Sequence, residues 1–252
     1  MDLGLQNKVV VVTGGAKGIG AAISEAFAQE GAKLVVNYRS DAPLCEEFIA
    51  RLRADYGVEA IGVQGDVGNI QTVNQIFAAA LETYGRLDIL INNAGGGKTT
   101  ALVDITLEEW NDAMQGNVTG MMMMSREFAR ILIGKKQPGK IINILSKVAM
   151  STKSKGRTCY VVNKTAELGL TRQLAVELTE HGIIVNGILP GLIKTAINAD
   201  NPNFADKEAR QILKRACTPD ELASTVAYVA SDKATTLVGS MVDCTAGALL
   251  GF

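Results

Sequence analysis

The sequence predicts an α/β protein: a Rossmann-like, doubly wound sheet of seven parallel strands with helices on both faces. Three observations predict it. Seven short β-branched runs recur along the chain, longer amphipathic segments separate them, and the runs are mostly apolar throughout rather than alternating. Continuous apolarity implies burial on both faces, the condition of a parallel strand covered by helices above and below. Regular alternation of strand and helix implies crossover connections, which keep all strands pointing one way. At 252 residues, with no internal repeat, low-complexity tract or Pro-rich linker, the chain is expected to form a single domain over 1–252.

The first strand, VVVVT (9–13), runs directly into Thr13-Gly14-Gly15-Ala16-Lys17-Gly18-Ile19-Gly20 and then a helical pattern from Ile19 to Glu30. KLVVNY (33–38) is the second strand, followed by a helix from Leu44 to Tyr56; EAIGV (59–63) is the third, followed by a helix from Ile70 to Tyr84. LDILIN (87–92) leads to a long helix from Thr106 to Ile133, with four successive methionines (121–124) on a buried or subunit-facing surface. KIINIL (140–145) precedes a helix from Thr158 to Glu180, and GIIVNGI (182–188) precedes a helical segment over 192–216, interrupted at Asn201-Pro202-Asn203. A helix from Asp220 to Ser231 and the strand GSMVD (239–243) complete the alternation.

Composition excludes several functions. Twenty-five Lys and Arg against 26 Asp and Glu leave a net charge of -1, which gives no grip on nucleic acid or anionic lipid. The longest charge-free run, Ala113 to Ser125, has 13 residues, too few for a membrane span. The start, MDLGLQNKVV, shows no basic segment followed by an apolar stretch, so a cytoplasmic location is expected. Cys45, Cys159, Cys217 and Cys244 are widely separated, and His181 is the only histidine, so neither a zinc site nor a disulfide framework is expected. His181, in EHGIIVN, is placed at a helix end before a strand, where it suits the helix dipole rather than catalysis.

The glycine turn points to a dinucleotide. Its spacing is G-x3-G-x-G rather than G-x-G-x-x-G, but it lies on the first strand-to-helix unit, where glycines allow a tight reversal and close approach to pyrophosphate at a helix N-terminus. The tip of the second strand reads Val36-Asn37-Tyr38-Arg39-Ser40, with no carboxylate for a ribose 2′-hydroxyl. Arg39, Ser40 and Lys17 instead offer cations and a hydroxyl to a 2′-phosphate, which predicts NADP(H) over NAD(H). Tyr160 and Lys164 stand four residues apart, on one helix face. A phenol is a poor proton relay at neutral pH unless a neighbouring cation stabilises its phenolate. Ser146 ends the fifth strand at the carboxyl edge of the sheet, where ligands of such folds bind.

With these residues in order, the chain resembles a single-domain short-chain dehydrogenase/reductase over essentially its full length. The matching motifs are Thr13-Gly14-x3-Gly18-x-Gly20, Asp66-Val67, Asn92-Asn93-Ala94-Gly95, Asn117, Ser146, Tyr160-x3-Lys164 and Pro190-Gly191. The resemblance implies that Tyr160 transfers a proton to or from the substrate oxygen while the nicotinamide exchanges hydride. It further implies that Lys164 favours the phenolate and holds the nicotinamide ribose, that Ser146 orients the carbonyl, and that Asn117 anchors a relay water. Asp66 and Val67 are implied at the adenine, Asn93, Ala94 and Gly95 along the ribose, and Pro190, Gly191, Ile193 and Thr195 towards the carboxamide, with Gly14, Gly18, Ile19 and Gly20 at the pyrophosphate.

The departures concern substrate and assembly. Ser146 and Tyr160 are separated by 14 positions, one more than is usual in similar proteins, and the intervening KVAMSTKSKGRTC carries Lys147, Lys153, Lys155 and Arg157. Lys98 follows in GGGKTT. These cations favour a carboxylate, phosphate or carrier-bound acyl substrate. The ending VDCTAGALLGF replaces the Val-Asp-Gly-Gly of similar proteins, in which the tail joins subunits, and a homotetramer is expected. Segment 192–216 is expected to be a lid over the substrate. The leading expectation is an NADPH-dependent carbonyl reductase of small molecules, resembling 3-oxoacyl thioester reductases; a sugar or polyol dehydrogenase similar to glucose 1-dehydrogenases is the alternative, and a catalytically silent NADPH sensor the remote one. A serine hydrolase built on Ser146 lacks a placed histidine.

Overall fold

The computed structural model describes residues 1–152, 155–195 and 201–250. Seven strands form one parallel sheet: β1 (Val9–Val12), β2 (Lys33–Tyr38), β3 (Ala60–Gln64), β4 (Ile89–Asn92), β5 (Gly139–Ile144), β6 (Ile183–Pro190) and β7 (Met241–Cys244). Their spatial order is β3-β2-β1-β4-β5-β6-β7. The order reverses between β1 and β4, which opens a crevice above their carboxyl ends, the place where such sheets take ligands.

Eight α-helices flank the sheet among the described residues: α1 (Gly18–Gln29), α2 (Ala42–Tyr56), α3 (Ile70–Tyr84), α4 (Leu107–Met114), α5 (Gly120–Lys135), α6 (Thr158–Leu178), α7 (Phe204–Ala209) and α8 (Pro219–Ala230). Pleating sorts the strand side chains between two cores. Val10, Val12, Leu34, Val36, Ile89 and Ile91 pack against Ile23 and Phe27 of α1, Phe48 and Leu52 of α2 and Val226 of α8. Val9, Val11, Val35 and Leu90 face the other way, against Ile76 and Phe77 of α3 and Met124, Phe128 and Leu132 of α5. Met121, Met123 and Met124 are all buried, as a core-facing methionine run requires.

Helix starts follow local chemistry. The Asn69 side chain accepts from the Gln71 N–H at α3, and that of Thr106 from the Glu109 N–H at α4. At α8, Thr218 and Glu221 form a reciprocal capping box, with Pro219 in the first helical position.

Two expectations need correction. The predicted helix from Thr106 to Ile133 is interrupted by a π-helical segment, Gln115–Thr119, between α4 and α5. A single wide turn inserts one residue and frees a carbonyl, and here the Ala113 carbonyl accepts from the side-chain amides of both Asn117 (2.7 Å) and Asn163 (2.9 Å). The predicted helical segment 192–216 is, in its described part, helical only at α7. Ile193 instead pairs with Cys217 in an isolated parallel bridge, and Cys217 donates its N–H to the Leu192 carbonyl at 2.9 Å. The Lys194 N–H donates in turn to the Cys217 carbonyl at 3.0 Å, so the backbone groups of 192–194 are paired outside a helix. Asn201-Pro202-Asn203 lies at the start of α7, where the Asn201 side chain accepts from the Asn203 N–H at 2.9 Å.

Candidate active site

The glycine turn after β1 is laced to its neighbours. Asn93 Nδ2 donates to the carbonyls of Thr13 (2.9 Å) and Gly14 (3.2 Å), while Thr13 Oγ1 accepts from the N–H groups of Asn93 and Ala94. Gly20 is required sterically: a Cβ there would lie 2.1 Å from the Gly14 carbonyl oxygen. Lys17, the cap residue before α1, makes no side-chain cap, so the first N–H groups of the helix are open to an anion, and Gly18, at a φ of 55° and with open space around it, leaves room for a ligand. A pyrophosphate fits this turn. Asn37, at the end of β2, was not foreseen as part of the site. It is buried, accepts from the Gly14 N–H and donates to the carbonyls of Val63 and Gly65, tying the turn to β3.

At the outer end, Lys17, Arg39 and Ser40 are all exposed. Arg39 Nη1 is 3.6 Å from Asp66 Oδ2, so the residue expected at a 2′-phosphate is paired with the residue expected at adenine. Asp66 also accepts from the Gly68 N–H at 2.8 Å, which shapes the turn into α3, and Val67 is buried beneath α5, against Gly120.

Nearer the sheet centre, a second group converges. A Cβ on Gly95 would lie 2.6 Å from Asn117 Oδ1 and 3.8 Å from Lys164 Nζ, and one on Gly97 would touch the Tyr160 ring. Asn117 Oδ1 accepts from the Gly96 N–H at 2.9 Å, holding the chain after β4 over the crevice. Lys164 is buried, and its Nζ donates to the Ile144 carbonyl of β5 at 3.0 Å, two residues before Ser146. Ser146 is buried too, and its Oγ accepts from the Val148 N–H at 3.4 Å at the start of a short 3-10 turn, Lys147–Ala149. The Arg157 guanidinium lies 4.3 Å from the centre of the Tyr160 ring.

Of the cations expected around the substrate, Lys153 lies outside the described residues. The Thr100 N–H donates to the Gly156 carbonyl at 2.9 Å, so the stretch bearing Lys98 and the loop bearing Lys155 and Arg157 are joined. Burial pushes the Lys147 ammonium down from its ordinary value. Pro190 is buried at the end of β6. A Cβ on Gly191 would lie 2.7 Å from Thr245 Cα, so this glycine admits the C-terminal tail. Ile193 is buried and Thr195 half-buried beside it.

One charged residue within the site was missed altogether. Glu167 is fully buried on α6, and its Oε2 accepts from Lys164 Nζ at 2.7 Å. Burial pushes its carboxyl up, against the opposing pull of the Lys164 ammonium. A Lys and a Glu three residues apart read as an ordinary exposed helix pair, so the spacing carried no warning.

A family model described as enoyl-(acyl carrier protein) reductase matches residues 14–248. The chain belongs to the short-chain dehydrogenase/reductase family. Among its relatives in that family, a 3-oxoacyl-[acyl-carrier-protein] reductase of Synechocystis sp. is 35% identical over 230 residues, covering 91% of this chain and 92% of the relative. A 3β-hydroxysteroid dehydrogenase 1 of Eggerthella lenta is 36% identical over 242 residues, covering 94% and 91%. The crystal structure of L-sorbose reductase from Gluconobacter frateurii, complexed with NADPH and L-sorbose, superposes with a TM-score of 0.91 at 30% identity over 100% of both chains. Short-chain dehydrogenases/reductases are oxidoreductases of carbonyl and alcohol substrates that use nicotinamide cofactors. Among the described residues no helix is long and apolar enough to cross a membrane, and no cluster of side chains suits a metal ion.

Proposed function

We propose that the protein is an NADP(H)-dependent oxidoreductase that interconverts a ketone and a secondary alcohol, with an acidic carbonyl compound such as a 3-oxoacyl thioester as substrate. The observation that carries this reading is the convergence of Gly95, Asn117, Lys164 and Tyr160 at the carboxyl edge of the sheet, beside an uncapped glycine turn and with the Arg157 guanidinium over the Tyr160 ring.

The uncapped turn of Gly14, Gly18, Ile19 and Gly20 would hold the pyrophosphate. Lys17, Arg39 and Ser40 would hold the 2′-phosphate, Arg39 giving up Asp66 for it, while Asp66 and Val67 line the adenine. Asn93, Ala94 and Gly95 would follow the ribose, and Pro190, Gly191, Ile193 and Thr195 the carboxamide. When bound, the nicotinamide supplies the hydride chemistry. In reduction, the Tyr160 hydroxyl gives its proton to the oxygen of the substrate as that oxygen gains charge. Ser146 Oγ orients the carbonyl by hydrogen bonding, Lys164 favours the phenolate left behind, and Asn117 anchors the route by which the proton is replaced.

The domain is proposed to span 1–252, with 192–216 as a lid, of which 196–200 lie outside the described residues, and to assemble as a homotetramer. Replacing Tyr160 with Phe should abolish turnover yet retain NADPH binding; unchanged turnover refutes its role. A panel of acyl thioesters, keto acids, sugars and cyclic ketones, run with NADPH and NADH, tests both substrate and cofactor. Changing Lys98 and Lys153 to Met should raise KM for charged ketones at least about tenfold, since one charge-assisted hydrogen bond is worth about 1.5–3 kcal/mol and 1.4 kcal/mol is about tenfold. Equal effects on neutral ketones would favour the second reading, a sugar or polyol dehydrogenase, which rests on the likeness to L-sorbose reductase.

A further inference from the structure

Lys164 holds more than its place in the sequence motif requires. Of the three protons on an ammonium, one goes to the Ile144 carbonyl at 3.0 Å and one to Glu167 Oε2 at 2.7 Å. The remaining one has no acceptor in the protein among the described residues, and Nζ lies 3.8 Å from where a Cβ on Gly95 would stand, at the crevice. Glu167 is 0% exposed, and its backbone carbonyl accepts from Thr171 Oγ1 at 2.7 Å. Thr171 Oγ1 accepts from Asn143 Nδ2 at 2.9 Å, and Asn143 Oδ1 accepts from Asn92 Nδ2 at 2.8 Å. The other carboxylate oxygen of Glu167, Oε1, is buried with no hydrogen-bond partner among the described residues. A buried ion pair with an unpartnered oxygen is a poor device for stability, since apolar residues of similar volume often serve as well or better.

We infer that Glu167 is a positioning residue: it anchors Lys164 Nζ from behind and offsets part of the positive charge that Lys164 directs at the Tyr160 hydroxyl. This rests on the proposed roles of Tyr160 and Lys164. Two consequences follow from the geometry. The anchored ammonium keeps one proton for the crevice, and an ammonium with a carboxylate at 2.7 Å acts as a dipole, whose field at the phenol is weaker than that of a lone cation. Other charges do not replace this offset. Just before α6 Arg157 stacks on the Tyr160 ring, and the 3-10 turn brings Lys147, both cationic; α6 itself carries Arg172 and Glu177 in its second half, turns beyond Glu167. The π segment and β6 carry no charged residue, and the Lys140 of β5 lies at the opposite end of that strand. On α5, Glu127 pairs with Arg130, and Arg126 and Lys135 are cationic; α4 carries Glu108, Glu109 and Asp112, of which Glu109 accepts from Thr100 Oγ1.

The test is the pH titration of the ultraviolet phenolate band in the nucleotide-free protein, with the part due to Tyr160 identified by its loss in Tyr160→Phe. In Glu167→Gln the inflection of that part should fall by about one pH unit, because the lysine charge is no longer offset. Should Glu167→Gln fail to fold by circular dichroism, Glu167→Asp, which withdraws the carboxylate by one methylene, should lower the inflection by less. The acid limb of kcat/KM for alcohol oxidation should move in the same direction. An inflection that stays put in a folded variant, or rises, overturns the inference. The band needs neither substrate nor nucleotide, so a failure of the proposed reaction in the substrate panel is read separately from a failure here.

Discussion

Replacing Lys164 with Met should make the stability of the protein fall more steeply with rising pH than that of the parent. Met fills a similar volume, and the Lys164 side chain is 6% exposed, so little cavity forms. What changes is the environment of Glu167, which is 0% exposed and has no other cation on it. Burial already pushes its carboxyl above the ordinary 4.5, and removing the ammonium leaves that push unopposed. A carboxyl raised in the folded state binds its proton more tightly there than in the unfolded chain. Its contribution is therefore fully present below about pH 4.5 and is lost as pH rises through the folded value, at about 1.4 kcal/mol per unit of difference. Near pH 4.5 the variant should be weaker than the parent by about 1 kcal/mol, the hydrogen bond to the Ile144 carbonyl. Near pH 8 the deficit should reach about 3–5 kcal/mol, the usual cost of stranding one member of a buried pair. Urea unfolding of both proteins at each pH measures the difference. Adding Glu167→Leu to the variant should restore most of the loss at pH 8. An equal deficit at both pH values, or a double variant no more stable than the single, would refute the reasoning.

Other changes should act as follows. Gly20→Ala drives a methyl to 2.1 Å from the Gly14 carbonyl and 2.6 Å from Asn93 Nδ2, so the turn must open; a loss of about 1–3 kcal/mol in unfolding free energy and at least tenfold weaker NADPH binding by fluorescence titration are expected. Asn117→Leu leaves the Gly96 N–H without its acceptor and should cost about 1–3 kcal/mol, with faster hydrogen exchange at Gly96 by NMR. Glu221 is held down to about 2 by the Arg215 guanidinium and the Thr218 N–H, so it supports α8 above about pH 4.5 and loses that effect as pH falls towards 2; Glu221→Gln should flatten the fall of Tm over this window.

The sheet was legible because burial on both faces leaves a plain mark: VVVV and ILIN are apolar at every position but the last Asn, and both strands are buried throughout. The glycine turn and the Tyr160 to Lys164 spacing were legible because they are local. Three features were not. The π segment differs from an α-helix by one backbone register, and QGNVT carries no side-chain pattern that marks it. Asn37 reads as one polar residue in an apolar strand, and only the folded chain brings the Gly14 N–H and the Gly65 carbonyl to it. The pairing of Arg39 with Asp66 joins two residues 27 apart in sequence, adjacent only across β2 and β3.

The wide turn between α4 and α5 also fixes how much the chain length there can vary. Each helical residue turns the following chain by about 100°. Deleting any one of Gln115–Thr119 would let α4 and α5 merge into a regular helix, but would rotate the two relative to each other by that angle. Either Met124 and Phe128 would swing out of the core beneath β1 and β4, or Asn117 would leave the Gly96 N–H. One surplus residue thus works as a phase adjuster, letting a single continuous rod present its packing stripe to the sheet and its amide to the crevice.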